Sequence, residues 1–215
     1  MTQPFTKKTM EEIHQGFRER TYSGEDLMNY CRLSLQNQLS FSRSEMLYFF
    51  NSEDTMPTID NLFDSIREKS NILIIIRTSN ELFCIHIKDQ IPKDIPQRRT
   101  RGSYYKENTF LRMREMYFYV ICHKNEMFDE PKRIQNWNGE PKGHIETIKF
   151  NERGALMEFK NVFEIVSVEF ARNWFDIEFK EQAQLYDEQG NSFSFEQSGI
   201  WPVQQIIACQ LLDNE

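Results

Sequence analysis

Residues 71–88 read Asn-Ile-Leu-Ile-Ile-Ile-Arg-Thr-Ser-Asn-Glu-Leu-Phe-Cys-Ile-His-Ile-Lys, and this stretch decides the fold class. Residues 72–76 are an unbroken Ile and Leu run of strand length. Residues 78–81, Thr-Ser-Asn-Glu, are a short polar turn. Beyond it the pattern alternates, with Phe83, Ile85 and Ile87 on one face and Cys84 and His86 on the other. Two β-type runs around a short polar turn make a hairpin.

Toward the N-terminus, residues 7–37 read as two helices. Ser23 followed by Asp26 has the form of a capping box, and Leu27, Tyr30, Cys31 and residues 33–35 follow at helical spacing; Gly16 weakens the first helix. Residues 46–50 read as a strand. Pro57 and Thr58 open a helix through Lys69, with Ile59, Leu62, Phe63 and Ile66 on one face.

Toward the C-terminus, residues 89–108 form a long loop containing Pro92 and Pro96. Strands are expected at 109–113, 116–123, 145–150, 155–159, 162–170, 174–179, 183–186, 192–195 and 203–212. A second long loop is expected at 125–143, with Pro131, Gly139, Pro141 and Gly143. Residues 187–191 read as a hairpin turn in which Gly190 takes the left-handed conformation. Helices first and many short strands after them predict an α+β fold: an antiparallel β-sandwich with N-terminal and flanking helices. We expect a helical segment at 1–44, packed on one domain at 45–215.

Composition agrees with a globular chain. Of 215 residues, 39% are hydrophobic and 27% charged, which is neither a disordered nor a fibrous balance. The 18 Phe supply large burial areas for a dense core. A net charge of −7 opposes general binding to phosphate backbones and leaves room only for a local basic patch. The four cysteines show no metal-type spacing and are expected to be reduced core residues. No apolar run approaches the ~20 residues of a membrane span, so a cytoplasmic or nuclear location is expected.

The search for chemistry returns little. There is no phosphate-binding glycine loop, no HExxH, no DxDxDG loop and no GxSxG. Cys84, His86 and Cys122 are the residues to examine for convergence across strands, either as metal ligands or as a Cys–His pair. A Cys84 thiol inside an apolar strand is expected to have a raised pKa and to be inert. Glu164, Glu169, Asp176 and Glu178 alternate with apolar residues, as on a solvated sheet face. No catalytic residue, metal or cofactor is expected.

One local feature stands above this background. Lys93, Arg98, Arg99, Arg101 and Lys106 crowd one loop with Tyr104 and Tyr105, and Arg112 and Arg114 follow. Guanidinium groups grip phosphates and tyrosines stack on bases. The plain reading is a flexible solvated loop; the functional one is a site for phosphate, nucleic acid or an acidic partner.

Over residues 45–213 the chain resembles a divergent TLDc domain. Family members carry a hairpin of the type PTLxxIKDxxGxxFGAF, and residues 70–86 occupy that pattern. A later family segment like YYGTGESFLF is similar to Tyr104-Tyr105-Lys106-Glu107-Asn108-Thr109-Phe110-Leu111, and a closing strand like LEVWGF falls on residues 206–212. Here the family-type FG is Phe83-Cys84 and the closing Glu is Gln210. The resemblance implies a two-sheet β-sandwich flanked by helices, no catalytic residues, a link to oxidative-stress resistance, and in some members binding to the vacuolar proton ATPase. It maps one acidic family position, Glu107. The expected function is thus a non-catalytic TLDc-like protein-interaction domain linked to stress response. The alternative is a sequence-specific DNA-binding or other nucleic-acid-binding stress regulator using the basic region 93–114.

Overall fold

The hairpin forms where the alternation places it. The computed structural model describes residues 22–52, 60–93, 110–113, 115–124, 126–136, 147–149, 155–159, 163–168, 174–179, 185–195 and 200–213. Its elements, in chain order, are α1 (Gly24–Ser34), β1 (Arg43–Asn51), α2 (Asp60–Ile66), β2 (Ile72–Thr78), β3 (Leu82–Ile87), β4 (Phe110–Arg112), β5 (Met116–His123), β6 (Glu126–Asn136), β7 (Thr147–Lys149), β8 (Ala155–Phe159), β9 (Phe163–Val168), β10 (Trp174–Phe179), β11 (Leu185–Asp187), β12 (Ser192–Phe193) and β13 (Ile200–Leu212). In the hairpin, Ile72 lies opposite Ile87 and Arg77 opposite Leu82.

Among the described residues every strand pairing is antiparallel. The main sheet runs β1-β13-β2-β3-β5-β6-β11-β12. At its N-terminal end β13 leaves that sheet and pairs with β10 through Pro202, Trp201 and Ile200. From there a second run continues as β10-β9-β8-β7-β4. The long final strand therefore belongs to both.

The second run folds onto one face of the main sheet. Ile74, Phe83, Ile85 and Phe118 from the main sheet share a core with Phe163, Ile165 and Ile177 from the second run and with Leu62 and Ile66 from α2. The Phe83 ring sits at the middle, with its centroid 5.3 Å from both Phe118 and Phe163 and 6.1 Å from Phe195. Here the phenylalanine-rich composition finds its use. The opposite face is covered by α1: Leu27, Tyr30, Cys31 and Leu35 pack on Leu73, Ile75, Tyr119 and Ile207. With both faces covered, every position of β2 is buried, which is why its sequence shows no polar alternation.

Helix α1 starts as its residues dictate. The Ser23 hydroxyl oxygen accepts from the Asp26 N–H at 3.1 Å and donates to the Asp26 carboxylate at 2.7 Å. Helix α2 is shorter than expected. It ends before Lys69 because Glu68 turns to φ 63° and gives its N–H to the Ile91 carbonyl. Its expected cap, Thr58, lies outside the described residues, as does the first expected helix.

One expectation is corrected. Residues 125–143 were expected to form a loop, but 126–136 are the eleven-residue strand β6. Pro131 pointed to a loop because it lacks the N–H that a ladder needs. The pairing with β5 passes over it: Val120 faces Lys132, and the next paired position, Cys122, faces Met127. Pro131 falls within this irregularity, where no ladder donor is required.

Candidate functional site

Most of the basic segment lies outside the described residues: Arg98, Arg99, Arg101, Tyr104, Tyr105, Lys106, Arg114 and the family-type Glu107. Lys93 is exposed a short way beyond the end of β3. Arg112 is in β4, where its backbone pairs with Thr147. Of the basic segment, only Lys93 and Arg112 belong to the described residues.

The Cys84, His86 and Cys122 question has an answer. All three belong to the side of the sheet that α1 covers, and Cys84 and Cys122 share one apolar layer with Cys31 and Cys209. Among the described residues no group of three or more His, Cys, Asp and Glu is arranged to hold a metal ion. Burial pushes the Cys84 thiol well above its ordinary pKa and the Cys209 thiol up to about 12.

His86 is 2% exposed. Its Nε2 lies 2.7 Å from Asn71 Oδ1, while Asn71 Nδ2 donates to the Leu211 carbonyl at 2.9 Å. With the amide oriented by that second bond, Nε2 must be the donor, so the neutral ring carries its proton there. Nδ1 is buried and has no hydrogen-bond partner. Burial, and secondarily the Lys88 charge, lowers the His86 pKa to about 4. At neutral pH this is a neutral structural histidine with no proton to give at Nδ1.

A second histidine is built differently. Glu81, at the end of the hairpin turn, presents one carboxylate oxygen to His123 Nδ1 at 3.0 Å and the other to the Lys124 N–H at 3.2 Å. The side chains are 8% and 16% exposed. The His123 ring leans on Phe193, with centroids 4.8 Å apart, and meets Phe195 edge-on at 6.0 Å. The carboxylate orients the imidazole as in many histidine sites. Among the described residues no group of metal-ligating side chains includes it, and the contact ties the β2–β3 turn to the end of β5.

A third polar cluster links α1 to the sheet. Arg77 Nη1 donates to Gln205 Oε1 at 2.9 Å, and Gln205 Nε2 donates to the Tyr22 carbonyl at 2.6 Å. The Arg77 guanidinium also lies 5.2 Å from the Tyr22 ring centroid. Buried charge is tolerated here because it is hydrogen-bonded and stacked.

At the surface, β1 is the notable element. Among the described residues it pairs with β13 alone, so a nine-residue strand forms one edge of the main sheet. Phe49 on this strand is the only large hydrophobic residue with an exposed side chain among those described, at 38%. Sequence reasoning recognised a strand at 46–50 but had no signal for its edge position, which depends on the final strand lying beside it. Glu81, Arg77 and Gln205 were missed for the same reason: their partners are remote in the chain. No family model matches the chain, and no curated protein matches it.

Proposed function

We propose that this chain is a non-catalytic interaction domain of the TLDc type, linked to stress response, that captures a protein partner along β1. The observation that carries the reading is the edge position of β1. Nine residues of strand with one ladder partner among the described residues, beside a half-exposed Phe49, form the kind of surface to which an extended segment adds as a further strand. The resemblance supplies a partner to test. Its hairpin and its closing strand fall on β2, β3 and β13, which lie side by side in the main sheet.

The test is direct binding of the full chain to the purified peripheral sector of a vacuolar proton ATPase. Saturable binding tighter than about 10 µM is expected. Phe49→Glu, which puts a charge on the edge, is expected to weaken it about ten-fold, or about 1.4 kcal/mol. Absence of saturable binding up to about 100 µM sinks this partner assignment. Binding indifferent to Phe49→Glu sinks the β1 surface.

A further inference from the structure

Four strands of the main sheet have an end at one place. There β1 begins at Arg43, β2 begins at Ile72, β3 ends at Ile87 and β13 ends at Leu212. Asn71 ties these ends together. Its N–H donates to the Lys88 carbonyl at 3.2 Å, and its carbonyl accepts from the Leu211 N–H at 2.8 Å. Its side-chain amide donates to the Leu211 carbonyl at 2.9 Å. Leu211 in turn faces Ser44 of β1, and the Ser42 N–H donates to the Leu212 carbonyl at 2.9 Å. Asn71 sits at φ 57°, a conformation that needs such support in a non-glycine residue. The remaining polar atom of its side chain, Oδ1, is held by His86 Nε2 at 2.7 Å. A path of hydrogen bonds and strand pairing thus runs from the His86 ring through Asn71 and Leu211 to the first residues of β1.

We propose that His86 and Asn71 form an acid-released latch: proton uptake by the His86 ring frees the ends of β13 and β1 while the centre of the sheet stays closed. Nε2 already carries the proton it gives to Asn71. A second proton must enter at Nδ1, which is buried and has no hydrogen-bond partner. Among the described residues, Cys84 shares the ring's face of β3, Tyr117 of β5 stacks on it at 6.1 Å, and Cys209 of β13 lies beyond the facing Leu73. Helix α1 brings Tyr30 and Cys31 to the same layer. These are thiols and phenols, uncharged in acid. Lys88, just after β3, opposes a positive ring. Glu115 pairs with Lys88 at 3.9 Å, and the Arg133 guanidinium lies 4.4 Å from the Tyr117 ring centroid. His86 stands one residue from the end of β3, and Lys88 beyond it is exposed, so the short way to water leads past that end. Taking it breaks the bond to Asn71 and removes a support from a strained backbone. The strand ends then fray before the buried centre opens. Burial, and secondarily Lys88, holds the ring's pKa at about 4, against about 6.5 once it reaches water. Opening is therefore favoured as pH falls from about 6.5 to about 4 and gains nothing further below. Because β1 is the proposed docking edge, acid would loosen that edge; this consequence rests on the β1 reading, whereas the latch itself does not.

The test is amide exchange of the full chain followed by NMR, with rates corrected for the pH dependence of free amides. From pH 7 to pH 5 the Leu211 and Ser42 amides are expected to open about twenty-fold more often. Their exchange should be insensitive to low urea. The Ile74 and Ile85 amides, in the middle of the sheet, should exchange more slowly and respond to urea. In His86→Gln the acid response of Leu211 and Ser42 should disappear. Asn71→Gly keeps the positive φ and removes the latch, so it should raise both rates about ten-fold at pH 7. A Leu211 amide that exchanges only together with Ile74 and Ile85 would overturn the latch, because the ring would then be released by global unfolding alone. So would an undiminished acid response in His86→Gln, or unchanged Leu211 and Ser42 rates in Asn71→Gly. All of these are read on the chain by itself, so failure to bind the ATPase sector counts against the β1 reading and not against the latch.

Discussion

Glu81 holds His123 across 42 residues of chain, with a carboxylate oxygen 3.0 Å from Nδ1. The other oxygen holds the Lys124 N–H, and Lys124 sits at φ 52°, where a non-glycine residue needs support. Glu81→Ala leaves a backbone donor and a ring nitrogen without their acceptor in a largely buried place. A loss of about 1–3 kcal/mol is expected in urea unfolding. Glu81→Gln keeps an acceptor and should recover part of the loss. Equal losses in the two variants would mean that the charge, not the hydrogen-bond geometry, is what counts.

His86 predicts a pH dependence. Its folded-state pKa is lowered to about 4, below the unfolded value of about 6.5. Between those values the unfolded chain binds a proton that the folded chain refuses, so stability rises with pH across that window. As pH falls from about 6.5 to about 4, this one residue is expected to cost roughly 3 kcal/mol. Below the window the cost stays constant. Stability measured by urea melts at pH 7 and pH 4.5 should fall less in His86→Gln than in the parent chain. Identical slopes would remove His86 as the cause.

Legibility in the sequence followed locality. The hairpin at β2 and β3 could be read because its signal lies within eighteen consecutive residues, and the Ser23 cap because it spans four. The strand β6 could not, because Pro131 sends a loop signal whose harmlessness depends on the spacing of pairs on β5. The edge position of β1 depends on β13, some 160 residues later. The polar clusters were hidden likewise: Glu81 reads as a turn residue until His123 is placed beside it. Cys84 and His86 were correctly placed on one face, but the neutral state of His86 depends on Asn71 and Leu211, which alternation does not reveal. The expected basic site, residues 93–114, lies mostly outside the described residues.

Phe83 is the side chain on which the two halves of the sandwich meet. It is fully buried, touches Phe118 from its own sheet, and reaches Phe163 across the core. Phe83→Ala removes the ring from between two layers that cannot both collapse into the gap. A loss of about 3–5 kcal/mol is expected, with a lower urea midpoint. Phe83→Leu keeps most of the volume and should cost less than half as much. If the alanine variant lost under about 1 kcal/mol, the core would have to be far more compliant than a packed sandwich allows.

Gly24 and Phe49 should behave as a coupled pair. Gly24 opens α1, and a Cβ built there would stand 2.9 Å from Phe49 Cδ2 and 3.1 Å from Cγ. Alanine is normally the better helix former, by about 1 kcal/mol in a helix interior. Here that gain is opposed by a ring pressed against the backbone, with its root atom as near as its edge, so rotation alone does not relieve the contact. Gly24→Ala is therefore expected to destabilise the parent chain by about 1 kcal/mol. In a Phe49→Ala background the ring is gone and the helix preference should show, making the same substitution neutral or stabilising. The double-mutant cycle is expected to give a coupling of about 1–2 kcal/mol, read from urea midpoints of the four proteins. Additive effects would mean that the β1 ring does not rest on the start of α1, and that Phe49 is free to serve a partner without loosening the helix.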